Sequence, residues 1–337
     1  MAKINLLTIH WTTSYGGVMQ TYATCRLLKS LGHTVTIINL VPKYIIKHQL
    51  SIKNLVNFHF INILQFLAFR RKYLPSMTVL MSKINKKRIP KADYTIVGSD
   101  QVWNPAITKE NATSYFLDFA EGTKKISLSS SFGINKPAVE DSVVQSLNSF
   151  SAISVREETG EAYLRSIIHN KPISRLVDPT IALGNFEEIV KKKQKKSEIY
   201  TFVFSEGRKE HELIKEVSVF MNLPVHKMSM QERVFNSSPV DWISNFKYYD
   251  CIITNSFHGL VFSLLFKKNF FILQSTNESQ FTRLSSLLKL LNLEDRFVQS
   301  KSDIERVGNN SIDYDLVFER LNNERKRFVD YVSNAII

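Results

Sequence analysis

The chain has 337 residues, and at ~100–200 residues per domain that length suits two domains, each with its own core. Lys and Arg total 44 against 31 Asp and Glu, so the formal net charge is +13, a surplus that favours anionic partners. With 44% hydrophobic and 22% charged residues, the composition excludes a disordered, fibrous or coiled-coil chain.

The opening run from Met1 to Leu7 is too short for a secretory signal and reads as a first strand over Ile4 to Thr8. Tyr15-Gly16-Gly17 follows as a turn, and a helical period runs from Val18 to Leu31, ending at Gly32. Val35 to Leu40 then completes a strand, turn, helix, strand unit of the kind that builds parallel sheets. Residues 42–90 are rich in Lys and Asn and read as an elaboration on that sheet. Within them Phe58 to Phe69 is the longest uncharged apolar run, short of the ~18–20 residues a membrane span needs. It ends in Arg70-Arg71-Lys72, which suits either contact with an anionic bilayer surface or a solvated basic helix end.

Tyr94 to Val97 and Ile126 to Ser129 read as buried strands that break at Gly98-Ser99-Asp100 and Ser131-Phe132-Gly133. Further strands are predicted over Ala152 to Val155 and Arg175 to Val177, followed by Arg156-Glu157-Glu158 and Asp178. Ligands of open α/β sheets sit beyond the carboxyl ends of the strands, so these polar breaks hold the site candidates. The charge run Lys191 to Lys196 reads as a linker or solvated helix end, and the domain boundary is placed just before it. A second series has a strand over Ile199 to Phe204, a helix over Glu210 to Met221 and a strand over Val225 to Met228. Another helix starts at Ser238-Pro239. Asp250-Cys251-Ile252-Ile253-Thr254-Asn255-Ser256-Phe257-His258 echoes Asp93-Tyr94-Thr95-Ile96-Val97-Gly98-Ser99-Asp100, each an Asp, a buried strand and a polar break.

The expected fold class is therefore α/β, with two Rossmann-like domains facing a cleft: residues 1–183, carrying Arg156, and residues 184–312, carrying His258. A C-terminal helix, residues 313–337, either caps the second domain or crosses back to the first. Cys25 and Cys251 lie in apolar segments and suit a reducing, cytoplasmic setting as buried small residues. No Cys/His cluster has metal spacing, so no metal is expected.

His258 is the leading catalytic candidate. It follows the helix-capping residues Asn255 and Ser256 and precedes the apolar helix Gly259 to Phe266, which places the imidazole near a helix N-terminus, an anion site. A bound phosphate or carboxylate would favour the protonated ring, as a general acid requires. A histidine that merely caps the loop is the plainer reading. Arg156 at a strand end suits a bidentate grip on phosphate or carboxylate, or else an ion pair with Glu157, Glu158 or Asp178. Asp100, Gln101, Trp103 and Asn104 combine a carboxylate, two amides and an indole, as a sugar site does; an N-cap Asp beside a core Trp is the alternative. Tyr15-Gly16-Gly17 lacks the GxGxxG and GxxxxGK[ST] spacings. Its glycines mark close approach of a ligand or a tight turn, notable where only 11 glycines occur in the whole chain. Arg283 opens a helix and adds a cation or lies at the surface, and His10 is a second strand-end histidine with no role assigned.

Taken together, these segments resemble the polysaccharide pyruvyl transferase family. The resemblance rests on Ser14 to Ala23, Gly98 to Asn104, Tyr115 to Phe119, Ser154 to Glu157, Asp178-Pro179-Thr180 and Thr254 to Gly259, which run in family order over most of the chain. It implies a GT-B-like fold and transfer of the enolpyruvyl unit of phosphoenolpyruvate to sugar hydroxyls, commonly as a cyclic ketal. Phosphoenolpyruvate would be a co-substrate, with no other cofactor, and the acceptor a sugar or lipid-linked glycan of a cell-surface polysaccharide precursor. The resemblance makes Arg156 and His258 donor-binding, and Asn255, Ser256, Gly259 and Arg283 are the further donor-side candidates. Tyr15, Gly16, Gly17, Gln101, Trp103 and Asn104 fall to the acceptor or its loops, and Asp100 orients or deprotonates the hydroxyl. Some members carry an Arg two places before the motif histidine, where this chain has Ser256, so Arg283, Lys124 and Lys125 are the candidates for the second phosphate cation. A GT-B-like glycosyltransferase using a nucleotide sugar is the alternative. A nucleic-acid-binding protein rests on charge alone, with no recognisable module, and is not expected.

Overall fold

Short apolar strands alternating with helices build two parallel sheets, one in each of two compact units. The computed structural model describes residues 1–49, 59–134, 137, 139–204, 207–226, 238–274 and 278–337. The first unit comprises Met1–Leu183 with Asn323–Ile337, and the second Gly184–Asn322.

The first unit runs β1 (Lys3–Leu7), α1 (Tyr15–Ser30), β2 (Thr34–Ile37), α2 (Lys43–Gln49), α3 (His59–Tyr73), β3 (Tyr94–Val97) and α4 (Pro105–Thr108). It continues through β4 (Lys124–Ser127), α5 (Asp141–Asn148), β5 (Ile153–Val155), α6 (Glu158–Ile167), β6 (Ile173–Arg175) and α7 (Pro179–Leu183). The strands β2-β1-β3-β4 pair in that order, all parallel. The parallel pair β5-β6 continues the array through bridges from Ile126 to Ala152 and from Ser130 to Val155. β3 is buried along its whole length, as a parallel sheet covered on both faces requires.

Helix α1 starts three residues earlier than its apolar period suggests, because Ser14 caps it and draws Tyr15-Gly16-Gly17 into the first turn. Gly17 is needed there for packing: a Cβ would lie 2.9 Å from Thr12 Oγ1. β2 stops at Ile37 rather than Leu40 because the elaboration takes over its edge, with bridges from Ile37 to Met77 and from Leu40 to Met81. Helix α3 lies against α1, Phe66 meeting Tyr15 and Phe69 meeting Tyr22. Phe58, the first residue of the predicted apolar run, lies outside the described residues. The basic triplet after it is not a uniform solvated end. Arg70 turns inward and donates from Nη2 to the Thr12 carbonyl at 2.6 Å, and only Arg71 and Lys72 are exposed. Among the described residues no helix is long and apolar enough to cross a membrane.

The second unit runs β7 (Lys196–Phe202), α8 (Arg208–Met221), β8 (Val225–His226), α9 (Pro239–Tyr248), β9 (Tyr249–Thr254) and α10 (Phe257–Leu265). β10 (Asn269–Leu273), α11 (Glu278–Leu291), β11 (Phe297–Val298), α12 (Lys301–Asn309) and α13 (Tyr314–Ala335) complete it. Its sheet has the order β11-β10-β9-β7-β8, again parallel throughout. Lys227 and Met228 of the predicted strand lie outside the described residues. Counted from its own first strand, each sheet reads second, first, third, fourth, fifth, the doubly wound order whose ligand crevice opens between the first and third strands.

The lysine run is not a free linker. Lys191 and Lys193 approach Asp241 at 3.7 and 3.6 Å, and Lys196 donates to the Tyr249 hydroxyl at 3.0 Å while lying over its ring. The last helix starts in the second unit, and its part from Asn323 onward belongs to the first. There Tyr331 donates to the Ser127 carbonyl at 3.0 Å, and Arg325 Nε donates to that of Ile181 at 2.9 Å. Cys25 and Cys251 are buried, which pushes both thiols up to about 12, as inert core residues.

Candidate active site

In the first unit the strand ends converge on Asp100. β3 breaks at Gly98, whose φ is +118° and where a Cβ would lie 2.2 Å from the Leu128 carbonyl oxygen, so only glycine fits. Asp100 follows with φ 68°, a left-handed conformation that an Asp tolerates and that recurs at functional sites. The neighbouring ends are tied by buried serines: Ser99 Oγ to the Ser129 carbonyl at 3.1 Å, Ser130 Oγ to that of Val97 at 3.2 Å, and Ser129 Oγ to that of Val177 at 2.8 Å.

Arg156 projects from the end of β5 into this cluster. Its guanidinium meets Asp178 at 2.7 Å, Glu157 at 3.4 Å and Asp100 at 3.6 Å, with the Arg156 side chain only 5% exposed. Burial would lower its pKa, but the fields of Glu157, Asp178 and Asp100 outweigh that and raise it. Glu157 also accepts from Ser131 Oγ, and Asp178 from the backbone and hydroxyl of Thr180 at 2.9 and 2.7 Å. Of the two readings of Arg156, the ion pair with Glu157 and Asp178 is present, and the same guanidinium also holds Asp100. Among the described residues no group of three or more His, Cys, Asp or Glu side chains is set to hold a metal ion.

The predicted sugar-contact residues divide. Trp103 is 2% exposed, stacks on Phe116 and donates its indole N–H to the Tyr115 carbonyl at 2.9 Å, so it belongs to the core and offers no face to a sugar. Asn104 caps α4 through Ala106 N–H, and its Nδ2 donates to Gln101 Oε1 at 2.8 Å. Gln101 also fills the space beside Gly133. Asp100 is thus the chemically available member of that motif. Lys124 and Lys125 stand at the opposite end of β4, over the Tyr94 ring and on Ser149 Oγ, which removes both as cations for these strand ends.

In the second unit β9 leads straight into α10. Thr254 donates to the Phe202 carbonyl at 2.6 Å and accepts from Ser256 N at 3.0 Å. Asn255 clamps the end of β7, accepting from Phe204 N at 2.7 Å and donating to its carbonyl at 2.8 Å. Ser256 caps the helix on Gly259 N at 3.3 Å. Gly259 permits the tight strand-to-helix turn, since a Cβ would lie 2.3 Å from Thr254 Oγ1. Asn255, Ser256 and Gly259 are therefore spent on shaping the turn. What they leave for a ligand is the start of α10, with the His258 imidazole, 9% exposed, in its first turn. Arg283 sits half-buried on α11.

The polysaccharide pyruvyl transferase profile matches residues 15–277, spanning both strand-end clusters. The chain belongs to the polysaccharide pyruvyl transferase family. No curated protein matches it in sequence. Among solved structures, it is similar to Arabidopsis thaliana UGT89C1 complexed with UDP, at 10% identity, 100% coverage of each chain and a TM-score of 0.50. It is also similar to the S. aureus MnaA–UDP co-structure, at 11% identity, 99% and 96% coverage and a TM-score of 0.49. A third is UDP-GlcNAc 2-epimerase of Methanocaldococcus jannaschii in complex with UDP-GlcNAc and UDP, at 11%, 98% and 99% coverage and 0.45. At such identities the likeness concerns the fold, which is GT-B-like, α/β with parallel sheets. Two of the segments that carry the resemblance, Gly98 to Asn104 and Thr254 to Gly259, lie at the third-strand ends of the two sheets.

The sequence singled out His10 without a role, and its surroundings supply one. It is buried at the end of β1, with Nδ1 3.1 Å from the Thr8 carbonyl and Nε2 3.0 Å from Asn39 Oδ1. Burial lowers its pKa to about 4, the bonds to Asn39 and Thr8 oppose this, and the Arg70 charge adds to it. His10 is a neutral strut between two strand ends. Arg70 is the residue that sequence reasoning treated only as surface. Its spacing from Ile63 and Phe66, at seven and four positions, is the helical signal that put it on the buried face.

Proposed function

We propose that this chain transfers the enolpyruvyl unit of phosphoenolpyruvate onto sugar hydroxyls of a polysaccharide precursor and closes a pyruvate ketal. The observation that carries the reading is a buried histidine in the first turn of a capped helix, inside a chain of this family. The positive end of the α10 dipole suits the phosphate or carboxylate of the donor. His258 protonates the methylene carbon, which leaves an oxocarbenium-like centre at the carbon bearing the phosphate. A sugar hydroxyl attacks that carbon, and its proton passes to Asp100, held in place by Arg156. Phosphate departs with the proton held by Asp100, and a second hydroxyl of the same sugar closes the ketal as its proton returns to His258. The acceptor is a sugar or lipid-linked glycan, and Arg71 and Lys72 provide charge toward an anionic membrane surface.

Purified protein incubated with phosphoenolpyruvate and a panel of lipid-linked glycans is expected to release phosphate and add a pyruvate mass to one glycan. Consumption of a nucleotide sugar with no such mass would assign the chain to glycosyl transfer instead.

A further inference from the structure

We infer that the β1–α1 loop of the first unit, backed by Arg70, binds a phosphate-type oxyanion. Arg70 is 8% exposed, and among the described residues no carboxylate lies within ion-pair distance of it. Among the described residues its Nε has no hydrogen-bond partner, and its Nη2 reaches the Thr12 carbonyl at 2.6 Å. Thr12 is also the residue that meets the start of α1, since its hydroxyl accepts from Ser14 N at 3.2 Å and a Cβ on Gly17 would touch it. The guanidinium and the N-terminus of a 16-residue helix are thus joined through one residue. That first turn carries no acidic side chain to answer either positive end.

The other buried arginines show what is missing. Arg156 has carboxylates around it, and Arg296 donates to the carbonyls of Phe270, Val307 and Asn310 at 2.8, 3.0 and 2.9 Å. Among the described residues Arg70 has one carbonyl. An isolated buried charge is costly, and here burial lowers its pKa to about 10. An arriving oxyanion removes that cost. The place is right for a ligand as well, because the loop leaves the carboxyl end of β1, and the crevice of this strand order opens between β1 and β3. Thr8 of the β1 end already touches the β3 end, its hydroxyl 3.4 Å from the Ser99 carbonyl.

The oxyanion is argued from the first unit alone. Only its source, the phosphate of the donor or the diphosphate of a lipid-linked acceptor, rests on the transfer reading. The test uses the full chain and inorganic pyrophosphate as the probe, with binding measured by calorimetry and no turnover required. It therefore stands apart from the phosphate-release assay. Arg70→Met is expected to weaken pyrophosphate at least tenfold and to leave the ligand-free Tm equal to or above the parent's, since it removes an unpaired buried cation. Arg70→Lys is expected to lie between the two in affinity, and it decides the matter should Arg70→Met not fold. Pyrophosphate affinity unchanged in both variants, or unchanged in Arg70→Lys where that is the only folded one, would overturn the inference. So would a fall in Tm with binding intact, the mark of a merely structural Arg70. Repeating the titrations with phosphoenolpyruvate and with a prenyl-diphosphate-linked sugar names the source, as the one whose affinity depends tenfold on Arg70.

Discussion

The ends of β3 and β9 occupy the same place in two sheets of the same strand order, yet they present opposite chemistry. β3 ends in a strained turn, Gly98 and Asp100 both at positive φ, with three carboxylates drawn around one guanidinium. β9 ends in neutral caps, Thr254, Asn255 and Ser256, whose hydrogen bonds form the turn that sets His258 in the first turn of α10. The acidic end suits a hydroxyl that must lose a proton and a carbon that becomes positive. The helix end suits an anion and a proton donor. One topology thus supports a division of labour that a net charge of +13 does not reveal.

The largest expected effect separates the two ends by chemistry. His258→Ala should lower turnover of phosphoenolpyruvate roughly 10³–10⁴-fold, about 4–5 kcal/mol of transition-state stabilisation, with an unchanged far-ultraviolet circular dichroism spectrum. Asp100→Asn should cost less, about 10²-fold, because a hydroxyl attacking an oxocarbenium-like centre needs its base late. Equal residual rates, or a His258→Ala protein that is unfolded, would erase the distinction.

Next comes the charge cluster. Arg156→Met leaves Asp100, Glu157 and Asp178 without their shared cation in a buried site, and should destabilise the first unit by about 3–4 kcal/mol in urea denaturation. A loss of catalysis with no loss of stability would restore Arg156 as a donor-binding cation. The smallest effect concerns His10. Its folded pKa of about 4 lies below the ordinary 6.5, so the unfolded chain binds the extra proton between those values. The stability that His10 contributes is complete above pH 6.5 and is lost as pH falls through about 4, a total of about 3 kcal/mol. His10→Asn should flatten the stability of the first unit over that window, and an unchanged slope would contradict the buried neutral assignment.

Much of this was legible in the chain itself. The echo of residues 93–100 in residues 250–258 picked out strands that the sheets place third in both orders. Pattern alone sees an Asp, an apolar strand and a polar break, and these are the local requirements of a strand feeding a turn at a sheet's carboxyl edge. What stayed hidden depends on partners distant in sequence. The sequence leaves Arg156 between an anion grip and an ion pair until Asp178 is brought to it, does not foresee its contact with Asp100, and leaves Trp103 between a sugar platform and the core until Tyr115 and Phe116 cover it. The serines that knit the strand ends carry no periodic signal at all. Arg70 was hidden differently, since an arginine closing an apolar helix resembles a solvated end unless its helical phase is read.

The most direct test of the division between the two ends is amide hydrogen exchange of the full chain with and without phosphoenolpyruvate. Added protection over Phe257 to Leu260, at the start of α10, with little change over Gly98 to Trp103, is the predicted result. Protection confined to Gly98 to Trp103, or none over Phe257 to Leu260 at saturating phosphoenolpyruvate, would contradict the account.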